Sequence, residues 1–142
     1  MLNKFILCLA LTISIVLADA TADKVDAFPG IGANTTTDIY SGYLNANEAG
    51  SKRLHYVYVF SQNDPTTDPV VVWFNGGPGC SSLLGFISEN GPYKIDDNST
   101  VGIQNNTESW NKYANVLYIE SPAGVGFSVG DTWADNQHND MS

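Results

Sequence analysis

Apolar segments and polar turns follow one another in a pattern that predicts a mixed α/β fold. Residues 70–74, VVVWF, form an uninterrupted apolar run, which is typical of a strand buried on both faces of a sheet. Residues 37–45 and 53–62, joined by the polar stretch 45–52, have the alternation of a β-hairpin. Residues 115–120, NVLYIE, predict a further strand, which ends before a proline and a glycine.

A glycine-rich turn follows the apolar run at once. Three glycines and a proline in residues 75–79, NGGPG, exclude strand or helix there and predict a rigid turn with bare backbone N–H groups. Two hydroxyl residues come next, and then apolar residues at helical spacing: Leu83, Phe86 and Ile87. A strand, a glycine turn and a helix start together favour the binding of negative charge.

This turn has two functional interpretations and a structural one. Phosphate binding would need the Lys-Ser/Thr ending of a P-loop or the wider glycine spacing of a dinucleotide fingerprint, and neither is present. Acyl chemistry fits the turn, because the loop after the third strand of an α/β-hydrolase supplies a backbone N–H to an oxyanion hole. A tight turn with no function beyond structure fits the pattern equally well.

The first 20 residues have the pattern of a secretory signal peptide. Lys4 precedes an apolar core at 5–17, and the small residues Ala18 and Ala20 have the spacing of a cleavage site. We therefore expect residues 1–20 to be removed and the mature chain, 21–142, to enter the secretory pathway without a membrane anchor.

Charge excludes some classes of partner. The net charge is −9 over 142 residues, with six lysines and arginines in total and no basic cluster, which argues against binding to nucleic acid or to anionic membranes.

His55 falls in a predicted strand and His138 in a polar tail, and no spacing of ligand residues predicts a metal site. We expect no cofactor.

The cysteines and the glycosylation sequons agree with a secreted protein. Cys8 lies in the predicted signal peptide, so the mature chain carries Cys80 alone. An unpaired cysteine in an oxidising compartment bonds another chain, stays a buried thiol, or has its partner in a longer sequence. Sequons occur at Asn34, Asn98 and Asn105, and the polar stretch 96–109 is predicted to be an exposed loop.

Taken together, the motifs resemble the serine carboxypeptidase family, which includes the cathepsin A-like and carboxypeptidase Y-like enzymes. The resemblance extends over residues 28–128, nearly all of the mature chain, in the expected order. The matching segments are YSGYLN (40–45), SQNDP (61–65), NGGPGCSS (75–82), ENGPY (89–93) and SWNKYANVLYIESPAGVGFS (109–128). The resemblance implies an α/β-hydrolase fold of which only the N-terminal strands and the first helix are present, an incomplete domain.

The resemblance also implies roles for single residues. Gly77 is expected to give its backbone N–H to the oxyanion hole. Asn75 and Glu89 are expected to bind the free C-terminal carboxylate of a peptide substrate, and Trp73 and Gly76 to belong to the same hydrogen-bond network. In this family the cysteine that matches Cys80 forms a disulfide with a later part of the chain, beyond Ser142.

Contact between Glu89 and a substrate carboxylate requires an explanation, because two anions repel each other. If Glu89 keeps a proton, through desolvation or by sharing it with a second carboxyl group, it donates a hydrogen bond to the substrate. We therefore expect substrate binding to weaken as pH rises and the complete enzyme to have an acidic optimum. A solvated glutamate at the end of a helix is the structural alternative.

The catalytic serine, aspartate and histidine of the family do not occur in this sequence. The family's serine lies in a GESY-like motif after a later strand. The segment 126–130, GFSVG, satisfies the G-x-S-x-G pattern around Ser128, and Asp131 or Asp135 and His138 follow in the order of an α/β-hydrolase triad. A nucleophilic serine must join a strand directly to a helix, and Pro122 and Gly124 break the chain first, so we interpret this segment as a structural loop.

The complete protein is therefore expected to be a serine carboxypeptidase that removes C-terminal residues from peptides. It would be secreted or would reside in a lysosome or vacuole, and residues 21–142 alone are expected to be inactive. Two alternatives remain open: an acyltransferase of the same family, which passes the acyl group to an alcohol, and a secreted binding protein without chemistry.

Overall fold

The computed structural model describes residues 20–32, 34–95 and 102–130. The predicted signal peptide up to residue 19 lies outside the described residues, and so do the sequon at Asn98 and the triad-like residues Asp131, Asp135 and His138. Six strands are present in the described part: β1 (Ile39–Asn45), β2 (Arg53–Val59), β3 (Val70–Trp73), β4 (Tyr93–Ile95), β5 (Ile103–Asn105) and β6 (Asn115–Ile119). Three short helical segments accompany them: Ala20–Asp23 and Trp110–Lys112, both 3-10 helices, and the π-helical turn Gly85–Glu89.

Four of the strands form one sheet in the order β1, β2, β6, β3. β1 is antiparallel to β2, and β2 is antiparallel to β6. β3 runs parallel to β6, with Trp73 opposite Tyr118. Parallel strands end at the same edge of a sheet. The residues that follow β3 and β6 are therefore neighbours in space, although about 45 positions separate them in the chain.

The predicted hairpin is confirmed. β1 and β2 pair over their full length, from Ile39 opposite Val59 to Asn45 opposite Arg53. The predicted alternation also holds, because His55, Val57 and Val59 are buried on one face and the residues between them are partly exposed.

The expectation that the apolar run 70–74 is buried on both faces is wrong for the described part of the chain. Val70, Val72 and Phe74 are 58%, 48% and 55% exposed, while Val71 and Trp73 pack against the core. β3 is an edge strand of this sheet, and no layer of described residues packs on the face that carries the exposed residues.

The prediction of an exposed loop over 96–109 is wrong in part. β5 lies within this stretch and pairs with β4, which buries Asn106 and Ser109 just beyond it. The Asn106 amide donates to the carbonyl oxygens of Glu89 (3.2 Å) and Gly91 (2.8 Å), and thereby fastens the end of the π-helical turn. Polar residues that pair with backbone in this way are buried in spite of their composition.

The core lies between the sheet and the π-helical turn. Its buried members are Ile39, Val57, Val59, Phe86, Tyr93, Ala114, Val116 and Tyr118. Phe86 meets Tyr118 edge to face with ring centroids 5.3 Å apart, which presses the π-helical turn onto β6. The buried Tyr118 hydroxyl donates to Asn90 (2.9 Å), and burial raises the pKa of Tyr118 far above its usual range.

The turn between β2 and β3 depends on one carboxylate. Asp68 accepts hydrogen bonds from the Ser61 hydroxyl (2.5 Å), the Asp64 N–H (3.0 Å) and the Asn63 amide (3.2 Å). These donors, the Ser61 hydroxyl foremost, hold the pKa of Asp68 below its usual value of 3.8. The ionised form of Asp68 is therefore the one that stabilises this turn.

We expect Asp68→Asn to destabilise the protein in a pH-dependent manner. A carboxylate whose folded pKa is lowered adds stability above its unfolded pKa, and this stability is lost as pH falls through the folded value. The difference between the urea midpoints of wild type and Asp68→Asn should be constant above about pH 5 and shrink below about pH 4. Asp26→Asn, at an exposed position, is the control; an equal pH dependence in both variants would contradict this account.

Candidate functional site

The glycine turn after β3 has the backbone geometry that its sequence predicts. Gly77 has φ +136° and Gly79 has φ +100°, values in the region that favours glycine. A Cβ atom on Gly77 would lie 3.0 Å from the Gly79 nitrogen and 3.1 Å from the Cys80 nitrogen, so a side chain there would displace the turn. The Cys80 N–H donates to the Gly76 carbonyl oxygen (3.3 Å) and closes the turn.

The Asn75 side chain has a defined orientation at the start of this turn. Its Oδ1 accepts hydrogen bonds from the Trp73 indole N–H (2.8 Å) and from the Gly85 N–H (3.2 Å). With the oxygen engaged by two donors, the Nδ2 amide group points the other way, towards Glu89. A group with two N–H donors therefore faces outward from the turn.

Glu89 lies beside Asn75, as expected for a shared site. Glu89 Oε1 is 3.4 Å from Asn75 Nδ2, although 14 positions separate the two residues. The Glu89 side chain is exposed, so the described part of the chain does not desolvate it. The site is open on this side.

The Trp73 side chain supports the Asn75 side chain. Its indole contacts Trp110 edge to face at 5.2 Å between ring centroids, and a Cβ atom on Gly85 would lie 2.3 Å from Trp73 Nε1. The glycine at position 85 thus permits the π-helical turn to approach the indole closely enough for both to bond Asn75.

Gly76 and Gly77 form the exposed rim of the site. No atom of the described residues would lie within 4 Å of a Cβ atom on Gly76. Within the same part of the chain, the Gly77 N–H donates no hydrogen bond. All five residues predicted for the site, Trp73, Asn75, Gly76, Gly77 and Glu89, are thus in one place at the edge where β3 ends.

The residues predicted to be modified are accessible. Cys80 is a free thiol and exposed. Asn34 and Asn105 are exposed as well. Their disulfide bonding and glycosylation remain predictions.

A buried polar cluster lies directly behind the turn, and the sequence interpretation missed it. Glu120, the residue after β6, is fully buried. Its Oε1 accepts a hydrogen bond from Ser81, and its Oε2 accepts the Phe127 N–H (2.8 Å) and lies 3.0 Å from His55 Nδ1. Nothing in the sequence distinguishes Glu120 from a solvated strand end, because two of its three partners, Ser81 and His55, are distant in the chain.

His55 lies within strand β2, as predicted, and is buried. Its Nε2 is 2.9 Å from the Ser41 hydroxyl, so Ser41, His55 and Glu120 make the contacts of a Ser-His-carboxylate triad. Ser41, however, lies within strand β1, and a nucleophilic serine of this chemistry occupies a sharp turn between a strand and a helix. We therefore interpret these contacts as structural.

Ser128 is not placed as a nucleophile. Its hydroxyl is buried, donates to the Glu120 carbonyl oxygen (2.6 Å) and accepts the His55 N–H (2.8 Å). The first bond closes the loop after β6, and the second fastens this loop to β2. These contacts support the interpretation of the G-x-S-x-G segment as a structural loop.

The described residues contain neither a cluster of metal ligands nor a membrane-spanning helix. No group of three or more His, Cys, Asp or Glu residues there has the arrangement of a metal site. Within the same ranges, no helix has the length and apolar character needed to cross a bilayer.

Comparison with known sequences gives a consistent result. The family model described as serine carboxypeptidase matches residues 29–142. The lysosomal protective protein of Mus musculus is 53% identical over 109 residues, which are 77% of this chain and 22% of that protein. Serine carboxypeptidase ctsa-3.1 of Caenorhabditis elegans is 43% identical over 130 residues, which are 91% of this chain and 22% of that protein. The chain thus spans less than a quarter of the length of these two curated relatives.

A solved structure has a similar fold. Kex1(Δ)p of Saccharomyces cerevisiae, a prohormone-processing carboxypeptidase, superimposes with a TM-score of 0.59 at 26% identity, over 82% of this chain and 27% of that chain. Together with the family match, this similarity confirms the predicted α/β-hydrolase fold, of which the chain contains a part.

Proposed function

Because this chain belongs to the serine carboxypeptidase family, we propose that it is the N-terminal part of a longer enzyme that hydrolyses the last peptide bond of peptides with a free C-terminus. The serine, aspartate and histidine of the reaction would come from a later part of that enzyme. Residues 20–130 would supply the binding site for the substrate's carboxylate and one donor of the oxyanion hole. The chain alone would then be inactive.

The orientation of the Asn75 amide is the observation that carries this proposal. Two donors fix Oδ1, so Nδ2 faces away from the turn, where it donates to Glu89 Oε1 (3.4 Å), and a carboxylate is an acceptor that binds such N–H groups strongly. Glu89 would take the second contact to that carboxylate with a proton on one of its oxygens. Because Glu89 is exposed among the described residues, its desolvation would come from bound substrate or from the rest of the longer enzyme.

Gly77 would act next to this carboxylate site. When the serine of the longer enzyme attacks the last peptide carbonyl, negative charge develops on the carbonyl oxygen, and a backbone N–H already held in place stabilises it without reorganisation. Gly77 is an exposed residue, and within the described part its N–H is not engaged elsewhere. Gly77 is only two positions from Asn75 in the chain. This short separation agrees with a reaction at the last peptide bond, which is the one next to the free carboxylate.

The place of action we propose is the secretory pathway, with a lysosome, a vacuole or the extracellular space as destination. The predicted signal peptide and the exposed sequons at Asn34 and Asn105 support this proposal. The similarity to a lysosomal protective protein points in the same direction.

A charge substitution at Asn75 tests the carboxylate site. Asn75→Asp keeps Oδ1 as acceptor for Trp73 and Gly85 but replaces the outward N–H donors with a negative oxygen. In the complete enzyme we expect KM for a peptide with a free C-terminus to rise about a hundredfold, since a charge-assisted bond is lost and repulsion is added. The same peptide with an amidated C-terminus should change little.

The matched control is Asn45→Asp, at an exposed position at the end of β1, three strands away in the sheet. It should leave the kinetic constants for both peptides as in the wild type. Equal losses on the acid and the amide peptide in Asn75→Asp would refute carboxylate recognition by this residue.

A further inference from the structure

Two consecutive serines connect the glycine turn to the end of β6. The Ser82 hydroxyl donates to the Ile119 carbonyl oxygen (2.5 Å) and accepts the Asn75 N–H (3.1 Å). The Ser81 hydroxyl donates to Glu120 and accepts the Leu83 N–H (3.2 Å). Both ends of the turn are therefore fastened to β6 through side-chain hydroxyls.

Glu120 is itself held from two further directions. Its Oε2 accepts the Phe127 N–H from the loop after β6, and His55 on β2 contacts the same oxygen. The other ring nitrogen of His55 contacts Ser41 on β1, which does not reach Glu120 itself. A fully buried carboxyl group with partners on three segments has little freedom to move, so Ser81 is bonded to a fixed point.

Apart from Pro78 and the bonds of the Asn75 side chain to Trp73 and Gly85, the described residues place few restraints on the turn. A Cβ atom on Gly76 would meet no described atom within 4 Å, and the closure from Cys80 N–H to Gly76 is long at 3.3 Å. Packing therefore does not determine where the Gly77 N–H points. The hydrogen bonds at the two ends of the turn do.

We propose that Ser81, through its bond to Glu120, is a positioning residue that sets the direction of the Gly77 N–H. The catalytic consequence rests on the proposed function, in which this N–H stabilises the oxyanion. Ser81 faces the buried Glu120, so its effect on the reaction passes through the turn. An oxyanion donor acts only when it is fixed in advance, and a displacement of about 1 Å costs about a hundredfold in rate.

The chain offers a matched pair of variants. Ser81→Ala removes the link between Glu120 and the turn, while Ser41→Ala removes a hydroxyl of similar burial from the far side of the same cluster. Within residues 74–80 of the complete protein, hydrogen–deuterium exchange of the Asn75 and Cys80 N–H groups, which are bonded at the two ends of the turn, measures the restraint on the turn. Ser81→Ala should increase exchange there about tenfold, and Ser41→Ala should leave it unchanged.

Kinetics of the same variants measure the catalytic consequence. We expect Ser81→Ala to lower kcat between about tenfold and a hundredfold with little change in KM, because the donor acts in the transition state. Ser41→Ala should keep the wild-type kcat. Ser81→Thr, which retains a hydroxyl, should restore both the slow exchange and most of kcat.

The two measurements separate this inference from the proposed function. Unchanged exchange over 74–80 in Ser81→Ala would overturn it, whatever the activity. Faster exchange with an unchanged kcat would also overturn it, since the turn would then move without effect on the reaction. A wild-type protein without carboxypeptidase activity would refute the proposed function, and the exchange data would still decide whether Ser81 holds the turn.

Discussion

Gly77→Ala is expected to lower the kcat of the complete enzyme between about a hundredfold and a thousandfold, the range observed when one donor of an oxyanion hole is lost. The alanine retains a backbone N–H, so the loss comes from geometry. At φ +136° an L-residue is strained, and the new Cβ would press on the nitrogens of Gly79 and Cys80 at 3.0 and 3.1 Å. The turn must shift, and the N–H shifts with it.

Steady-state kinetics distinguish this mechanism from a loss of binding. A donor that acts only in the transition state lowers kcat and kcat/KM by the same factor, so KM for a peptide with a free C-terminus should stay within about threefold of wild type. Asn75→Asp, in contrast, should change KM for such peptides and not for their amides. The two variants therefore separate the oxyanion donor from the carboxylate site.

Gly50→Ala is the control for Gly77→Ala. Gly50 also has a positive φ, +68°, but lies in the hairpin turn between β1 and β2, where a Cβ atom would meet nothing closer than 3.9 Å. This variant also places an alanine at positive φ, but away from the site, and should retain full kcat. If Gly50→Ala lost as much activity as Gly77→Ala, general destabilisation would explain both results.

The elements with short-range patterns were predictable from the sequence. The β1–β2 hairpin follows from alternation on either side of a polar turn, and the turn at 75–79 follows from its glycines, because both signals lie within a few residues. The burial of β3 was not predictable from its own residues. Whether Val70, Val72 and Phe74 are covered depends on what packs on the sheet, which the strand itself does not encode.

The residues of the site also differ in whether the sequence alone could predict them. Family resemblance grouped Trp73, Asn75, Gly76, Gly77 and Glu89, and in the structure they lie together at the end of β3. The Glu120 cluster needed the strand pairing, since only the antiparallel register of β2 with β6, Tyr56 opposite Ile119, brings His55 beside Glu120. A histidine in a strand and a glutamate after another strand are compatible with many pairings, so the sequence alone did not connect them.

The Glu120 cluster also explains why glycine occupies position 126. A Cβ atom on Gly126 would lie 1.9 Å from Glu120 Oε1, and the residue has φ +55°. The loop after β6 thus folds against the carboxyl group closely enough for the Phe127 N–H to bond it. The first glycine of the G-x-S-x-G pattern in this segment therefore has a structural cause, which is the close packing of the loop on the buried Glu120.

Replacement of Glu120 is accordingly expected to have the largest effect on stability. Glu120→Leu removes the acceptor for the part-buried Ser81 hydroxyl and Phe127 N–H, and leaves Nδ1 of the buried His55 without its carboxylate partner. We expect the free energy of unfolding of the complete protein to fall by about 3 to 5 kcal/mol, measured from the urea midpoint and slope. Glu120→Gln retains one acceptor oxygen, which can serve Phe127, and should lose about half as much.

The control is Glu48→Leu, at an exposed position in the turn between β1 and β2, where the change should be within about 0.5 kcal/mol. The order of the three variants tests the cause of the effect. If unpaired donors are responsible, stability falls in the order Glu48→Leu, Glu120→Gln, Glu120→Leu, whereas a better-packed apolar core would make Glu120→Leu the most stable of the three. A urea midpoint of Glu120→Leu equal to that of Glu48→Leu would show that the cluster does not hold the turn in place.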